Sequence, residues 1–491
     1  MKKYRNIIFV ILFAHLVLLG MFAGNRIVDA DEGFYLNASR MVGQGMSPYE
    51  DFFYTQFAGL PLTFSTFASH GWTSFYLMRG FAALAGLLSA ILLTIIVYRI
   101  TGDGPTAVVA LFMYAFSGMS LVWHSVFKVI PFTGFFSLGT FFFWLMYKEK
   151  RQIIYIIFSG LFLSLLISFR SLFAILLPLY IISIYSLSDR NKTRNLIVFL
   201  LSLIPLSLPN MLKIFNSFEQ FYYGNIFFQM TRDVNRSFFD IIYNRLYTYA
   251  RVLMDPHLLI IFALAIISIV LLIRLRKISC AGDMFVSSEG MAVANLILIA
   301  VVFLIPHPMA RRYVDNYLMF AIITAAFCLP HIIAYMRDKF ADNRRRIIIA
   351  VVTAVYVVMI VPYAAIFIYA ARAGDRWFLQ HNVREVTDHM QTVASDSDTV
   401  LSEWSAFVFL TNQTPLRYTE IVGFDLNIPM EHEQYMKYNL CDRDYLREQV
   451  GQKNPKIIVV RNRTSDYLAD LIENNYDRTM ETDEISVYKR R

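Results

Sequence analysis

About eleven apolar runs of membrane-spanning length constrain this sequence more than any other feature. The first extends from Ile7 to about Ala23, behind the basic start Met1-Lys2-Lys3-Tyr4-Arg5. The others lie near 80–98, 107–125, 130–147, 153–169, 171–187, 195–210, 257–273, 290–306, 315–335 and 347–370. A helix needs about 20 apolar residues to cross a hydrocarbon core of about 30 Å, so the chain reads as a mainly α polytopic membrane protein. Composition leaves no soluble alternative. Hydrophobic residues make up 57% and charged residues 17%, against roughly 25% charged in soluble domains. The first run is too long for a signal-peptide core and no clear small-residue cleavage site follows it, which points to a retained helix with a cytoplasmic N-terminus.

The net charge of +8 is placed where cytoplasmic turns normally carry it. Alternate turns hold Arg99, Lys148-Glu149-Lys150-Arg151, Arg190 through Arg194, Arg274 through Lys277, and Arg337 through Arg346. The basic excess therefore calls for a membrane partner, not nucleic acid. An odd number of spans places everything after about residue 370 on the extracytoplasmic side. The expected organisation is a transmembrane domain over 1–370, with a first external loop at 24–78 and a second external segment at 210–256. A soluble extracytoplasmic α/β domain over 371–491 follows. Its strand-like runs are Thr399-Val400-Leu401, Lys456 through Val460 and Glu484 through Tyr488, alternating with helical patterns. Cys280, Cys328 and Cys441 are far apart and show no metal spacing.

The most specific motif lies just past the first span: Asp29-Ala30-Asp31-Glu32-Gly33-Phe34-Tyr35, then Gly45-Met46-Ser47-Pro48-Tyr49-Glu50-Asp51-Phe52-Phe53-Tyr54. A carboxylate at a water–lipid boundary can act as general base on an incoming hydroxyl. Equally, acidic residues favour the first turn of a solvated helix.

This loop resembles the first external loop of the C-type glycosyltransferases. Within them it is most similar to the dolichyl-phosphate-mannose-protein mannosyltransferase-like branch, which includes the transferases that add aminoarabinose or galacturonic acid to lipid A. The resemblance extends to the order of parts: first span, long external loop, further spans, external α/β tail. It implies sugar transfer from a polyprenyl-phosphate carrier to a glycan, lipid or protein acceptor on the outer face of the cell membrane. It also implies that Asp31 is the catalytic carboxylate and Glu32 its neighbour, with Asp29 a weaker candidate. Because the lipid phosphate is already a good leaving group, one base and some phosphate-binding cations suffice for a single inverting displacement.

Candidate cations fall on the same side. Arg170 sits between two apolar runs, where a charge is costly unless it faces a polar cavity. His307-Pro308-Met309-Ala310-Arg311-Arg312-Tyr313 resembles the arginine-tyrosine segment of the family's late helix, and arginine suits phosphate oxygens. Tyr313 either assists there or belongs to an aromatic belt. The chain departs from many relatives at Trp123-His124-Ser125-Val126-Phe127-Lys128, which lacks their second acid. Lys128 there reads as a phosphate ligand or an interfacial lysine, and His124 as a sugar contact. Tyr35, Asp51, Tyr54 and His307 complete the candidate substrate site. No Walker loop, CxxC or HExxH occurs, and no cofactor is required, although the loop acids leave room for a divalent metal. The alternative is a transporter or flippase of a lipid-linked or anionic substrate, which would be expected to show internal repeats or midplane charges.

Overall fold

Among the described residues the apolar runs fold as helices, because backbone polar groups in hydrocarbon must be satisfied within the segment. The computed structural model describes residues 2–188, 191–231, 237–275, 277–278, 280, 282–304, 311–371, 376–421, 430–461 and 466–491. The runs are not eleven uniform spans. Among the described residues, five helices are long and apolar enough to cross alone: Lys2–Asn25, Gly71–Thr101, Val129–Lys150, Pro256–Arg274 and Asp342–Phe367. Two further runs are broken, Lys192–Ser202 with Ile204–Asn216 at 50° and Arg311–Ala325 with Leu329–Lys339 at 48°. The first break precedes Pro205 and the second precedes Pro330. Proline removes an N–H and clashes with the preceding turn, so each residue marks where a straight helix fails. The remaining runs are shorter helices: Gly104–Ala115, Ile153–Phe169, Ser171–Leu187 and Ser288–Val302.

Helices α1 (Arg5–Asn25), α2 (Glu32–Gly43), α3 (Gly59–Phe64), α4 (Gly71–Thr101), α5 (Gly104–Ala115), α6 (Gly118–Trp123) and α7 (Val129–Lys150) carry most of what positions the site. At about 1.5 Å per residue, the 31 residues of α4 span about 46 Å, longer than a bilayer core. Its first turns therefore project beyond the apolar run that begins near residue 80. Buried α7 runs between the two ends of the bundle. At one end Arg99 pairs with Glu149 at 2.7 Å, and Lys148 donates to Ser288 at 2.8 Å. At the other end, Lys128 immediately precedes α7 among the loop acids. Basic turns and acidic loop thus sit at opposite ends of the bundle.

The C-terminal part carries a mixed sheet of five strands: β1 (Thr399–Ser402), β2 (Thr414–Pro415), β3 (Ile457–Arg461), β4 (Tyr476–Glu481) and β5 (Ile485–Arg490), ordered β2-β1-β3-β5-β4. β1 is parallel to β2 and β3, whereas β5 is antiparallel to β3 and β4. Central β3 reads Ile-Ile-Val-Val because both its faces are covered. A buried helix after β1, Ser405–Leu410, lies against α2. A Cβ at Gly33 would fall 2.7 Å from Ala406 Cα, so only glycine permits this approach. Arg40 Nη1 donates to Val408 O at 3.1 Å, and Trp404 Nε1 donates to Ala30 O at 2.8 Å. The sheet layer is therefore bonded directly to the acidic loop.

Candidate active site

The loop between α1 and α2 holds three carboxylates in three different environments. Glu32 is fully buried and bonded to Arg79 of α4, Nε to Oε1 at 2.9 Å and Nη2 to Oε2 at 2.7 Å. It also accepts the backbone N–H of Phe127 at 3.1 Å and of Asp29 at 3.2 Å. Asp29 is buried beside Arg26 at 3.3 Å and in an ion pair with Lys128. Burial raises its carboxyl, but Lys128, Arg26 and Arg312 outweigh that effect and hold it below the usual carboxylate value. Asp31 differs from both. Its side chain is 45% exposed, and its Oδ2 lies 3.0 Å from Lys128 Nζ and 3.0 Å from Arg312 Nη2.

Local structure explains the arrangement. The chain leaves α1 extended at Arg26, and Asp31 N donates to Asp29 Oδ1 at 3.0 Å, closing a turn before α2 begins. Glu32 fastens that turn to α4 and to the backbone ahead of α7. Lys128 is 2% exposed, a burial that an ammonium tolerates only among carboxylates. Arg26, for its part, stacks 5.4 Å from the Trp123 ring and donates to Val122 O.

The other candidates divide. Arg170 stacks 4.8 Å from the rings of Tyr313 and Phe303, and among the described residues it has no carboxylate within ion-pair distance. Tyr35 accepts from Gln56 at 2.8 Å, and its phenol feels the charges of Asp31, Arg170 and Arg312. Tyr54 stacks on Phe34 at 4.9 Å, with its hydroxyl buried and unpaired. These residues gather on the Asp31 side. Arg311 turns away from its neighbour to Asp255, 3.7 Å distant, which also accepts the Tyr363 hydroxyl. His124 is buried between Tyr114 and Asp315, with Nδ1 2.9 Å from the hydroxyl and Nε2 2.7 Å from the carboxylate. Asp51 is exposed and accepts Ser47 N at 2.6 Å within its own turn. His307 lies outside the described residues.

Sequence reasoning missed Arg26 and Arg79. Each is a lone arginine beside an apolar run, indistinguishable by pattern from a boundary charge. It also missed Asp255 and Asp315, single acids at helix starts. Among the described residues, no three His, Cys, Asp or Glu side chains group as a metal site.

No protein-family model and no curated protein sequence matches the chain. Solved structures do. ArnT from Cupriavidus metallidurans, in the apo state, is similar over 99% of this chain and 97% of its own, at 15% identity and TM-score 0.66. The same protein bound to undecaprenyl phosphate gives 99%, 98%, 15% and 0.66. The archaeal oligosaccharyltransferase AglB from Archaeoglobus fulgidus, in complex with an inhibitory peptide and a dolichol-phosphate, is similar over 93% of this chain and 69% of its own, at 11% identity and TM-score 0.50. Over nearly its whole length, this chain has the fold of the C-type membrane glycosyltransferases.

Proposed function

We propose that this protein transfers a sugar from a polyprenyl-phosphate carrier to an acceptor hydroxyl on the extracytoplasmic face. Asp31 is the general base, and Lys128, Arg170 and Arg312 receive the phosphate. The observation that carries the reading is the charge balance around Asp31. Among the described residues, Arg26, Arg79, Lys128, Arg170 and Arg312 supply five positive charges, and Asp29, Asp31 and Glu32 supply three negative ones. Two positive charges remain, on groups that border the exposed carboxylate. That surplus suits a phosphate whose second negative charge develops as its bond to the sugar breaks. Binding of undecaprenyl phosphate and dolichol-phosphate by proteins of the same fold supports the same donor class.

In the reaction, the acceptor oxygen attacks the anomeric carbon while the carbon–oxygen bond to the phosphate breaks. The lipid phosphate leaves with the electron pair. Asp31 takes the acceptor proton, and a single displacement inverts the anomeric configuration. Glu32 orients the loop through Arg79 and Asp29 N–H and does not touch substrate. The external domain over 371–491 covers the site, and the basic end of the bundle faces the cytoplasm.

Asp31→Asn tests the assignment in sugar transfer from a purified polyprenyl-phosphate donor, with donor binding measured separately. Loss of a general base typically costs about 10²–10⁴ in rate, and donor binding should persist. Near-normal turnover would remove Asp31 from the chemistry and favour the transporter reading, for which the two bent helix pairs are the supporting feature.

A further inference from the structure

A cavity of 260 Å³ opens between the acidic loop and the sheet layer, bordered by Ala30, Trp377, Phe378, Glu403, Trp404 and Arg461. Ala30, on its border, is the chain neighbour of Asp31, their Cα atoms about 3.8 Å apart. Lys128 and Arg312 reach Asp31 from the bundle, whereas this cavity reaches the loop from the sheet layer.

Its walls have two chemistries. Trp377 and Trp404 lie 5.0 Å apart at 69°, with Phe378 3.8 Å from Trp377 and 5.2 Å from Trp404. Trp404 Nε1 is committed to Ala30 O, so this indole offers its ring and not its donor. At the rim, Arg461 pairs with Glu403, Nη2 to Oε1 at 2.7 Å and Nε to Oε1 at 2.8 Å. The Arg461 guanidinium also lies 5.1 Å from the Trp377 ring.

We infer that this cavity is the acceptor subsite and that it takes an uncharged saccharide ring. The inference rests on the proposed function and names its acceptor class. A pyranose presents an axial C–H face that packs on an aromatic ring, whose negative π-face attracts such hydrogens. Its hydroxyls accept at the perimeter, where Arg461 has further N–H groups. Among the described residues the rim pair is neutral overall, unlike the cationic surroundings of Asp31, and selects against an anionic ligand. A wholly apolar acyl chain would desolvate that ion pair without replacing its hydrogen bonds. The volume lies just below the roughly 300–1,000 Å³ of pockets for drug-sized ligands, which suits one ring more than a long polymer segment.

The test is a binding assay on the full chain in detergent, without donor. The probes are immobilised neutral oligosaccharides ending in glucose, mannose, galactose or N-acetylglucosamine, with sialylated glycans, acidic peptides and phospholipid vesicles as competing classes. Binding to a subset of the neutral glycans is expected. Trp377→Ala should weaken it at least tenfold, and Arg461→Ala, at a half-exposed position that folding tolerates, should weaken it severalfold. Absence of neutral-glycan binding, binding undiminished in both variants, or capture of only the competing classes would overturn the inference. Cleavage of the polyprenyl-phosphate donor by water reads the transferase reading separately. Donor cleavage without glycan binding removes the subsite alone, whereas glycan binding without donor cleavage supports the subsite and removes the transferase.

Discussion

Replacing Glu32 by glutamine asks whether this carboxylate belongs to the chemistry or to the frame that holds it. Besides its two bonds to Glu32, the Arg79 guanidinium donates to the carbonyls of Ala23, Arg26 and Ile27 at 2.8, 3.3 and 2.9 Å. Both side chains are fully buried. Glutamine keeps the shape but leaves Arg79 cationic, buried and facing an amide N–H where it had an oxygen. Removing one partner of a buried ion pair costs about 3–5 kcal/mol, a large part of a typical total of about 5–15 kcal/mol. Unfolding of Glu32→Gln in mixed micelles should therefore show a loss of that size. Asp31→Asn should lose no more than about 1 kcal/mol, because Asp31 is half exposed and Lys128 keeps Asp29. The double variant Glu32→Gln/Arg79→Gln should recover only part of the loss, since the helix-end carbonyls still lose donors, at about 1–3 kcal/mol for each one left buried. A Glu32→Gln protein as stable as wild type and as inactive as Asp31→Asn would refute this reasoning and make Glu32 a participant in the reaction.

Arg312→Ala should weaken donor binding by about 1.5–3 kcal/mol, roughly 10- to 150-fold, while Arg311→Ala, whose partner is Asp255, should change it far less; equal effects in a lipid-phosphate binding titration would contradict the division of the pair. Glu420, 8% exposed, has its carboxyl raised by burial from 4.5 to about 7. A raised folded value means that the folded state binds the proton more tightly, so stability falls between about pH 4.5 and 7 and is flat above. Glu420→Gln should therefore be the more stable protein at pH 8, by about 3 kcal/mol, and should lose that advantage near pH 4.5, as a melting series across pH would show. Reporter fusions after Arg151, Lys277 and Arg346 should read cytoplasmic and those after Ser47 extracytoplasmic; the reverse pattern would place the acidic loop with nucleotide sugars and not lipid carriers.

What the sequence reveals follows from the range of the interactions involved. The acidic loop is legible because three carboxylates within four residues after an apolar run form a local pattern. The apolar runs are legible because burial in lipid demands composition alone. Their breaks are less so, since the bends at Pro205 and Pro330 depend on how neighbouring helices satisfy the freed backbone. Arg79 is illegible for a different reason. Its partner Glu32 is 47 residues away, and a single arginine just ahead of the apolar run that begins near residue 80 looks like any boundary charge. In the sheet, β1, β3 and β5 announce themselves by buried β-branched residues. β2 is only two residues long, and β4 reads Tyr-Asp-Arg-Thr-Met-Glu with one fully buried side chain. The separation of Arg311 from Arg312 is also invisible in sequence, because adjacent residues at a 3₁₀ turn point in directions set by the tertiary partners Asp255 and Asp31.

Within the proposed function, the placing of Asp31 ties the base to the donor. Its carboxylate lies 3.0 Å from both the Lys128 ammonium and the Arg312 guanidinium, the two cations assigned there to the donor phosphate. Phosphate oxygens would compete for the same N–H groups, so that every contact they gain is one that Asp31 gives up. Asp29, itself paired with Lys128, would keep that ammonium close enough to follow the growing charge on the leaving phosphate.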